Sequence, residues 1–342
     1  MPEIMGSRKN RVQRKNEFDG SLVFGTRAFN KRTRRDEHID QSAKQVRDFF
    51  IDPETGLLYK HMAEDRDCPI CGGKEFDTLF IKDGFHHVKC GCGFIMVNPT
   101  ANDENRDRFF SAEYESWTNV LLTPEEELVD TKKFRYGLEF IEGHTGGNKG
   151  LIVDIGAGTG LFLEVAREAG WKVSAVEYNQ KAVEAIRSIG IEVFDKALEE
   201  GIYAPDSVDI VTIWEVLEHI NDPNEFIRGI RNILKPDGLL FICVPNINAL
   251  VTRILHEKSR TFGGSAHVNF FSIETLSRLL TKHGFQVLET DTVISELGTI
   301  RNYLSYEEPY SGQSPLELDF LTPEYLYQHN LGSRIFMLAR KG

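Results

Sequence analysis

The chain has 342 residues, enough for one large domain and a smaller one, and its makeup is that of a globular protein, 41% hydrophobic and 27% charged. No apolar run is long enough to span a bilayer, and the basic start lacks the apolar segment of a signal peptide, so a soluble cytoplasmic protein is expected. The net charge of −12 is uneven: residues 1–35 carry ten Lys and Arg against three acids, net +7, which leaves −19 on the remainder. Such an acidic body argues against wrapping nucleic acid.

In chain order, residues 1–60 read as a basic, largely flexible arm with short apolar islands such as "SLVFG". The alternative for that arm is contact with RNA, an acidic membrane surface or a phosphorylated substrate. Residues 61–100 hold four of the five cysteines, Cys68, Cys71, Cys90 and Cys92. "CPICGG" places two thiols around a tight turn, and a second pair in "HHVKCGCGF" completes a tetrahedral zinc set. The second pair is C-x-C, one residue short of the usual spacing, so His86 or His87 is the reserve fourth ligand. Four protein ligands leave no open position, which makes such a zinc structural. Cys243 lies in the buried-strand pattern "LLFICVPN" and is expected in the core.

Residues 101–148 are helical in tendency and read as a linker or lid. Over 149–342, strands and helices alternate. "LIVDIG", "KVSAVE", "IEVFD", "VDIVTIW", "LLFICVPN", "FQVLETDTV" and "SRIFMLARK" read as strands. Asn179, Asp222 and Ser272 read as helix N-caps. The pattern predicts an α/β fold with a mostly parallel, doubly wound, seven-stranded Rossmann-like sheet preceded by the small zinc-binding module. Residues 303–320 are expected to form an insertion over the substrate site.

Ligands of such sheets bind at the carboxyl ends of the strands. Three features fall there. "VDIGAGTG" carries Asp154 and the glycines Gly156, Gly158 and Gly160, whose spacing differs from the G-x-G-x-x-G of dinucleotide binders. Glu177 closes the second strand, placed to accept from ribose hydroxyls. "WEVLEH" sets Glu215, Glu218 and His219 at i, i+3 and i+4, one face if the stretch opens a helix. Three readings stay open for that cluster: a helix N-terminus that favours carboxylates, an acid/base group, or a divalent-metal site with His267 from "GGSAHVNFFS" as a further ligand.

The combination of "VDIGAGTG", the acid at Glu177, "WEVLEH" and "LKPDGLLFICVPN" resembles the class I S-adenosylmethionine (SAM)-dependent methyltransferases. That resemblance implies SAM over Asp154, Gly156, Gly158 and Gly160, with Glu177 on the ribose and with Asp195 and Trp214 beside the cofactor. The cysteine pairs running into "GFIMVNPT" and the aromatic "RFFSAEYESW" are similar to the zinc-module methyltransferases that act on sugars and on antibiotic or polysaccharide precursors. Glu215, Glu218, His219 and His267 together resemble the magnesium- or manganese-type site of O-methyltransferases whose substrates present neighbouring hydroxyls. Taken together, these resemblances imply an O-methyltransferase of a sugar, nucleotide-sugar or glycan precursor, with His219, Glu215, Glu218 and His267 as its expected catalytic residues. RNA ribose 2′-O-methylation, sugar C-methylation and a non-catalytic SAM-binding regulatory protein remain as alternatives.

Overall fold

The computed structural model describes residues 15, 35–109, 123–196, 198 and 201–342. Most of the basic arm and of the aromatic stretch "RFFSAEYESW" lie outside the described residues. Helix α1 (Arg35–Phe50) leads into a small β layer: β1 (Ala63–Glu64), β2 (Phe76–Lys82), β3 (Phe85–Cys90), β4 (Ile95–Val97) and β5 (Thr100–Ala101). Helix α2 (103–109) follows, and after it α3 (Pro124–Glu142). The larger layer is built of β6 (Leu151–Ile155), α4 (Leu161–Glu168), β7 (Lys172–Val176), α5 (Gln180–Ser188), β8 (Glu192–Phe194), β9 (Val208–Trp214), α6 (Pro223–Ile233) and β10 (Leu234–Pro245). Then come α7 (Leu250–Leu255), β11 (Asn269–Phe270), α8 (Ile273–Lys282), β12 (Phe285–Val293), α9 (Leu297–Leu304), α10 (Pro323–Gln328) and β13 (Arg334–Lys341).

Seven strands make one sheet in the order β8-β7-β6-β9-β10-β13-β12. Neighbours from β8 through β10 run parallel, while β13 lies antiparallel between β10 and β12. All seven strands read from the sequence are present. Strands β6, β9 and β10 are near-continuous apolar runs because helices cover both faces, the pattern of a parallel sheet. From β6 the chain goes outward to β7 and β8, then crosses back to β9. That reversal between β6 and β9 opens a crevice at the carboxyl ends of the strands.

Caps set the entry of three helices. The Asn179 side chain accepts from the Ala182 amide, Asp222 accepts from Asn224 and Glu225, and Ser272 forms a capping box with Thr275. Helix α3 lies against the aromatic core around Trp214, and Gly137 allows it, because a Cβ there would collide with the indole.

The four-stranded sheet of the cysteine module has the order β11-β4-β3-β2. Its edge strand β11 comes from the loop after β10, far along the chain. The segment expected as 61–100 is thus completed by residues 269–270. A separate apolar cluster joins α7, α9, α10 and residues 310–321, including Leu255, Ile300, Tyr310 and Leu326. In the arm ahead of α1, the one described residue is Lys15, whose ammonium lies 2.7 Å from Asp291 and faces the Tyr327 ring at 4.6 Å.

Candidate active site and a four-cysteine centre

The glycine loop after β6 turns through three left-handed residues, Gly156 (φ 74°), Gly158 (φ 55°) and Gly160 (φ 83°). A Cβ at Gly156 would stand 2.5 Å from the Val216 side chain, so the loop and the β9 turn approach too closely for anything larger. The Gly158 amide donates to Glu177 Oε2 at 2.8 Å, and the amides of Tyr178 and Asn179 donate to Oε1 at 2.8 and 2.9 Å. Burial raises the Glu177 pKa against the pull of these donors. A carboxylate has about four acceptor positions, so one remains for a sugar hydroxyl. The residues present fit a nucleoside cofactor at this place.

Other residues assigned to the cofactor from the sequence lie differently. Asp154 turns into the sheet, where Oδ1 accepts from Thr212 Oγ1 at 2.6 Å and burial pushes its pKa up to about 8. Asp195 follows β8, half exposed, 3.6 Å from the Arg187 guanidinium. The Trp214 indole is packed among Phe134, Phe162, Phe241 and Phe336 in the core, with centroids 4.7 to 5.5 Å apart.

The acidic stretch after β9 does not open a helix. Glu215 takes a left-handed φ of 55°, and only a 3-10 turn, Leu217–His219, follows. The expected i, i+3, i+4 face therefore never forms, and the four residues divide. Glu215 lies between Lys133 of α3, 3.3 Å away, and Arg334 of β13, 3.2 Å away. Burial alone would raise its carboxyl, but the charges of Arg334 and Lys133 outweigh it and hold the pKa well below the usual range. Glu215 is a partner of two cations, outside the cluster.

Glu218, His219 and His267 do converge, with one ligand atom from each lying within 4.8 Å of the others. Glu218 is 1% exposed, and neither carboxylate oxygen has a hydrogen-bond partner among the described residues. Burial, then the charge of Glu215, raises its pKa well above the usual range. His219 Nε2 stands 4.0 Å from Glu218 Oε1, and its side chain is 38% exposed, so the cluster has a buried floor and an open mouth. Both imidazoles are tied on the far side: His219 Nδ1 to the Ala266 carbonyl at 3.0 Å, His267 Nδ1 to that of Thr261 at 2.9 Å. Since a carbonyl only accepts, each Nδ1 carries the proton and each Nε2 is left with a free lone pair. Burial, followed by the neighbouring His267 and Arg106, lowers the His219 pKa to about 3, and burial lowers that of His267. A carboxylate and two oriented imidazoles are the donor chemistry of a divalent cation such as manganese, iron or zinc.

The four cysteines form the second centre. Sγ atoms of Cys68 and Cys92 are 3.6 Å apart and those of Cys71 and Cys90 are 3.5 Å apart, with all four within 4.8 Å. Zinc–sulfur bonds of about 2.3 Å in a tetrahedron imply sulfur–sulfur edges of about 3.8 Å. The set fits a tetrahedral ion, and no histidine is needed. His87 is instead buried against Phe80 and Phe270, at 4.7 and 5.4 Å. The short C-x-C spacing is absorbed by Gly93 at φ 92°, which closes the turn from its amide to the Cys90 carbonyl at 2.8 Å. Cys243 is buried in β10, as its strand pattern predicts.

Residues 132–290 match the family described as a methyltransferase domain. The chain contains a methyltransferase domain. Over 160 residues it is 29% identical to the ubiquinone biosynthesis O-methyltransferase of Cupriavidus pinatubonensis, covering 44% of this chain and 62% of that protein. It is also 29% identical over 164 residues to the C-methyltransferase NovU of Streptomyces niveus, covering 44% and 36% respectively. The chain thus spans less than two thirds of the length of either relative. A solved Burkholderia thailandensis 1,6-didemethyltoxoflavin-N1-methyltransferase, with bound 1,6-didemethyltoxoflavin and S-adenosylhomocysteine, aligns with 78% of this chain and 99% of its own at a TM-score of 0.48 and 16% identity. The matched stretch accounts for the glycine loop, Glu177 and the 215–219 turn. It ends before Arg334 and begins after Arg66 and Arg106, which carry no motif and no spacing by which sequence reasoning finds them.

Proposed function

We propose that the chain is a cytoplasmic SAM-dependent methyltransferase that methylates a hydroxyl oxygen of a sugar, nucleotide-sugar or glycan precursor. In this reading Glu218, His219 and His267 hold a divalent metal at the acceptor hydroxyl, and the four cysteines hold a structural zinc. One observation carries it: a fully buried carboxylate without a partner among the described residues, faced by two imidazoles whose Nδ1 protons are already committed. A buried polar group in that condition costs free energy unless a ligand completes it.

Bound SAM supplies an electrophilic methyl group, and a bound divalent ion lowers the pKa of a hydroxyl beside it. The chain's own residues do the rest. Gly156, Gly158 and Gly160 let backbone approach the cofactor, and Glu177 keeps one acceptor position for its ribose. Glu215 stays ionised between Lys133 and Arg334, so a fixed negative charge stands next to Glu218. Burial, then the charge of Glu215, favours the protonated form of Glu218 in the empty site. With a divalent ion bound, the Glu218 carboxylate and the two Nε2 lone pairs would be the groups that hold the ion, and the acceptor hydroxyl's proton would pass to water at the open mouth beside His219.

A second reading is supported by the likeness to a C-methyltransferase and by the free Nε2 lone pairs of His219 and His267, either of which can act as a general base on a carbon-bound proton. Labelled SAM given to a fractionated lysate of the source cells, with and without a chelator, separates the two. Label in a small-molecule or glycan fraction that vanishes on chelation supports diol O-methylation. Label that survives chelation supports C-methylation. Nucleic acid as the labelled fraction would overturn both in favour of ribose methylation, and SAM binding without turnover on any fraction would favour a regulatory role.

A further inference from the structure

The loops that carry the Glu218, His219 and His267 cluster are held from outside the methyltransferase domain. Arg106 of α2 donates to the carbonyls of Ser265 at 2.6 Å, His219 at 2.6 Å and Ala266 at 3.3 Å. The Ala266 carbonyl is also the one that fixes His219 Nδ1. Arg66, two residues before Cys68, donates to the carbonyls of Asn221 at 2.7 Å and of Val97 and Val268 at 3.1 Å. The module's own sheet continues the connection: β11 pairs with β4, and the Val97 amide donates to the Val268 carbonyl at 2.9 Å. From β11, Asn269 Nδ2 reaches back to the carbonyl of Ile220 at 2.6 Å, and the Val268 amide donates to the Glu218 carbonyl at 2.8 Å.

We propose that helix α2 and the cysteine module together set the geometry of the candidate catalytic cluster, with Arg106 and Arg66 as positioning residues that fix the two loops bearing Glu218, His219 and His267. The inference rests on the reading of those three residues as the reacting centre. Its physical basis is an accounting of carbonyls. His219 ends the 3-10 turn, and residues 220–221 and 265–268 lie outside helices and the large sheet, so their buried oxygens need donors from elsewhere. A guanidinium offers five N–H groups in a rigid plane and satisfies two or three such oxygens at once, whereas an ammonium is a point donor on a flexible stem. Burial lowers both guanidinium pKa values to about 10, which leaves them cationic at neutral pH. Arg106 also fixes the Ala266 carbonyl that decides which ring nitrogen of His219 carries the proton.

The test compares the wild-type protein with Arg106→Gln and Arg106→Lys. Three readouts are taken: the imidazole tautomers by 15N-histidine NMR, Mn2+ affinity by EPR titration, and S-adenosylhomocysteine affinity by calorimetry. Mn2+ is the probe because thiolates are poor ligands for it, so the cysteine centre stays silent. The wild type is expected to show His219 and His267 as Nδ1–H tautomers. Both variants should lose that tautomer at His219 and bind Mn2+ at least tenfold more weakly, with S-adenosylhomocysteine affinity within twofold. Unchanged tautomers and Mn2+ affinity in both variants overturn the proposal. If the wild type binds no Mn2+ but the variants still alter the His219 tautomer, the positioning role stands and the metal reading falls. Should Arg106→Gln not fold, retained cofactor affinity identifies Arg106→Lys as the variant that decides.

Discussion

Among the described residues lie two clusters of metal-type ligands, and they are opposites in design. The cysteine centre is four soft sulfurs in a closed tetrahedral arrangement, at the turns of a small sheet. The Glu218, His219 and His267 centre is three harder donors with a buried floor and an open mouth. A full set of ligands commits its binding energy to folding, while an incomplete one keeps a position for a reactant. Ligand count and access, more than the presence of ligands, separate a structural site from a reactive one.

The contrast is most exposed at the cysteines. Cys68→Ser should abolish one equivalent of zinc and destabilise the module by at least ~5 kcal/mol, read as loss of a cooperative transition by calorimetry beside zinc content. If the variant keeps both its zinc and its transition, the closed-site reading is wrong. The open site should respond in the reverse sense. Glu218→Gln should lower kcat by about 10² to 10³ while raising the unfolding free energy by about 1 kcal/mol, because it removes a buried charge-bearing group that has no partner in the empty site. A loss of stability together with activity would make Glu218 structural and erase the contrast.

Glu177→Ala serves as a control, since it touches neither cluster. SAM affinity should fall by about tenfold to a hundredfold in calorimetry, with zinc content and Mn2+ affinity intact. The smallest effect is expected at His87, which lies at the seam between the two centres. Burial lowers its pKa to about 4, so the unfolded chain takes up its proton first as pH falls below about 6.5. Its contribution is fully present above pH 6.5 and is lost as pH drops toward 4. His87→Phe should flatten that limb of the stability curve by about 1 to 2 kcal/mol, measured by denaturant titration between pH 7 and 4.

Much of the fold was legible because its signals are local. Asn179, Asp222 and Ser272 cap the next few amides, and the β6 and β9 runs announce their own burial. The glycine loop was legible for the same reason. The reacting cluster was legible only as a set of residues. One left-handed residue, Glu215, changes which side chains face one another, and helical spacing cannot anticipate that. Its two cations come from α3 and β13, and the clamps at His219 and Asn221 come from α2 and the segment before Cys68 respectively. Partners chosen at such separations leave no periodicity, so Lys133, Arg334, Arg66 and Arg106 look like ordinary solvated charges in the sequence. The seam strand β11 is invisible for a related reason: two residues are too few to form a pattern.

Strand β13 follows every other strand of the large sheet in the chain, yet it occupies an interior place between β10 and β12. On the ribosome, therefore, β10 and β12 emerge with a gap between them and with hydrogen-bonding edges that nothing covers until residues 334–341 arrive. The β10 edge, "LLFICVP", is apolar and rich in strand formers. Until residues 334–341 are made, the nascent chain thus carries a split sheet, the condition in which chaperones bind and aggregation competes. Arg334, which enters with that strand, completes the ion pair at Glu215 only then, so the polar network beside the open cluster waits on β13.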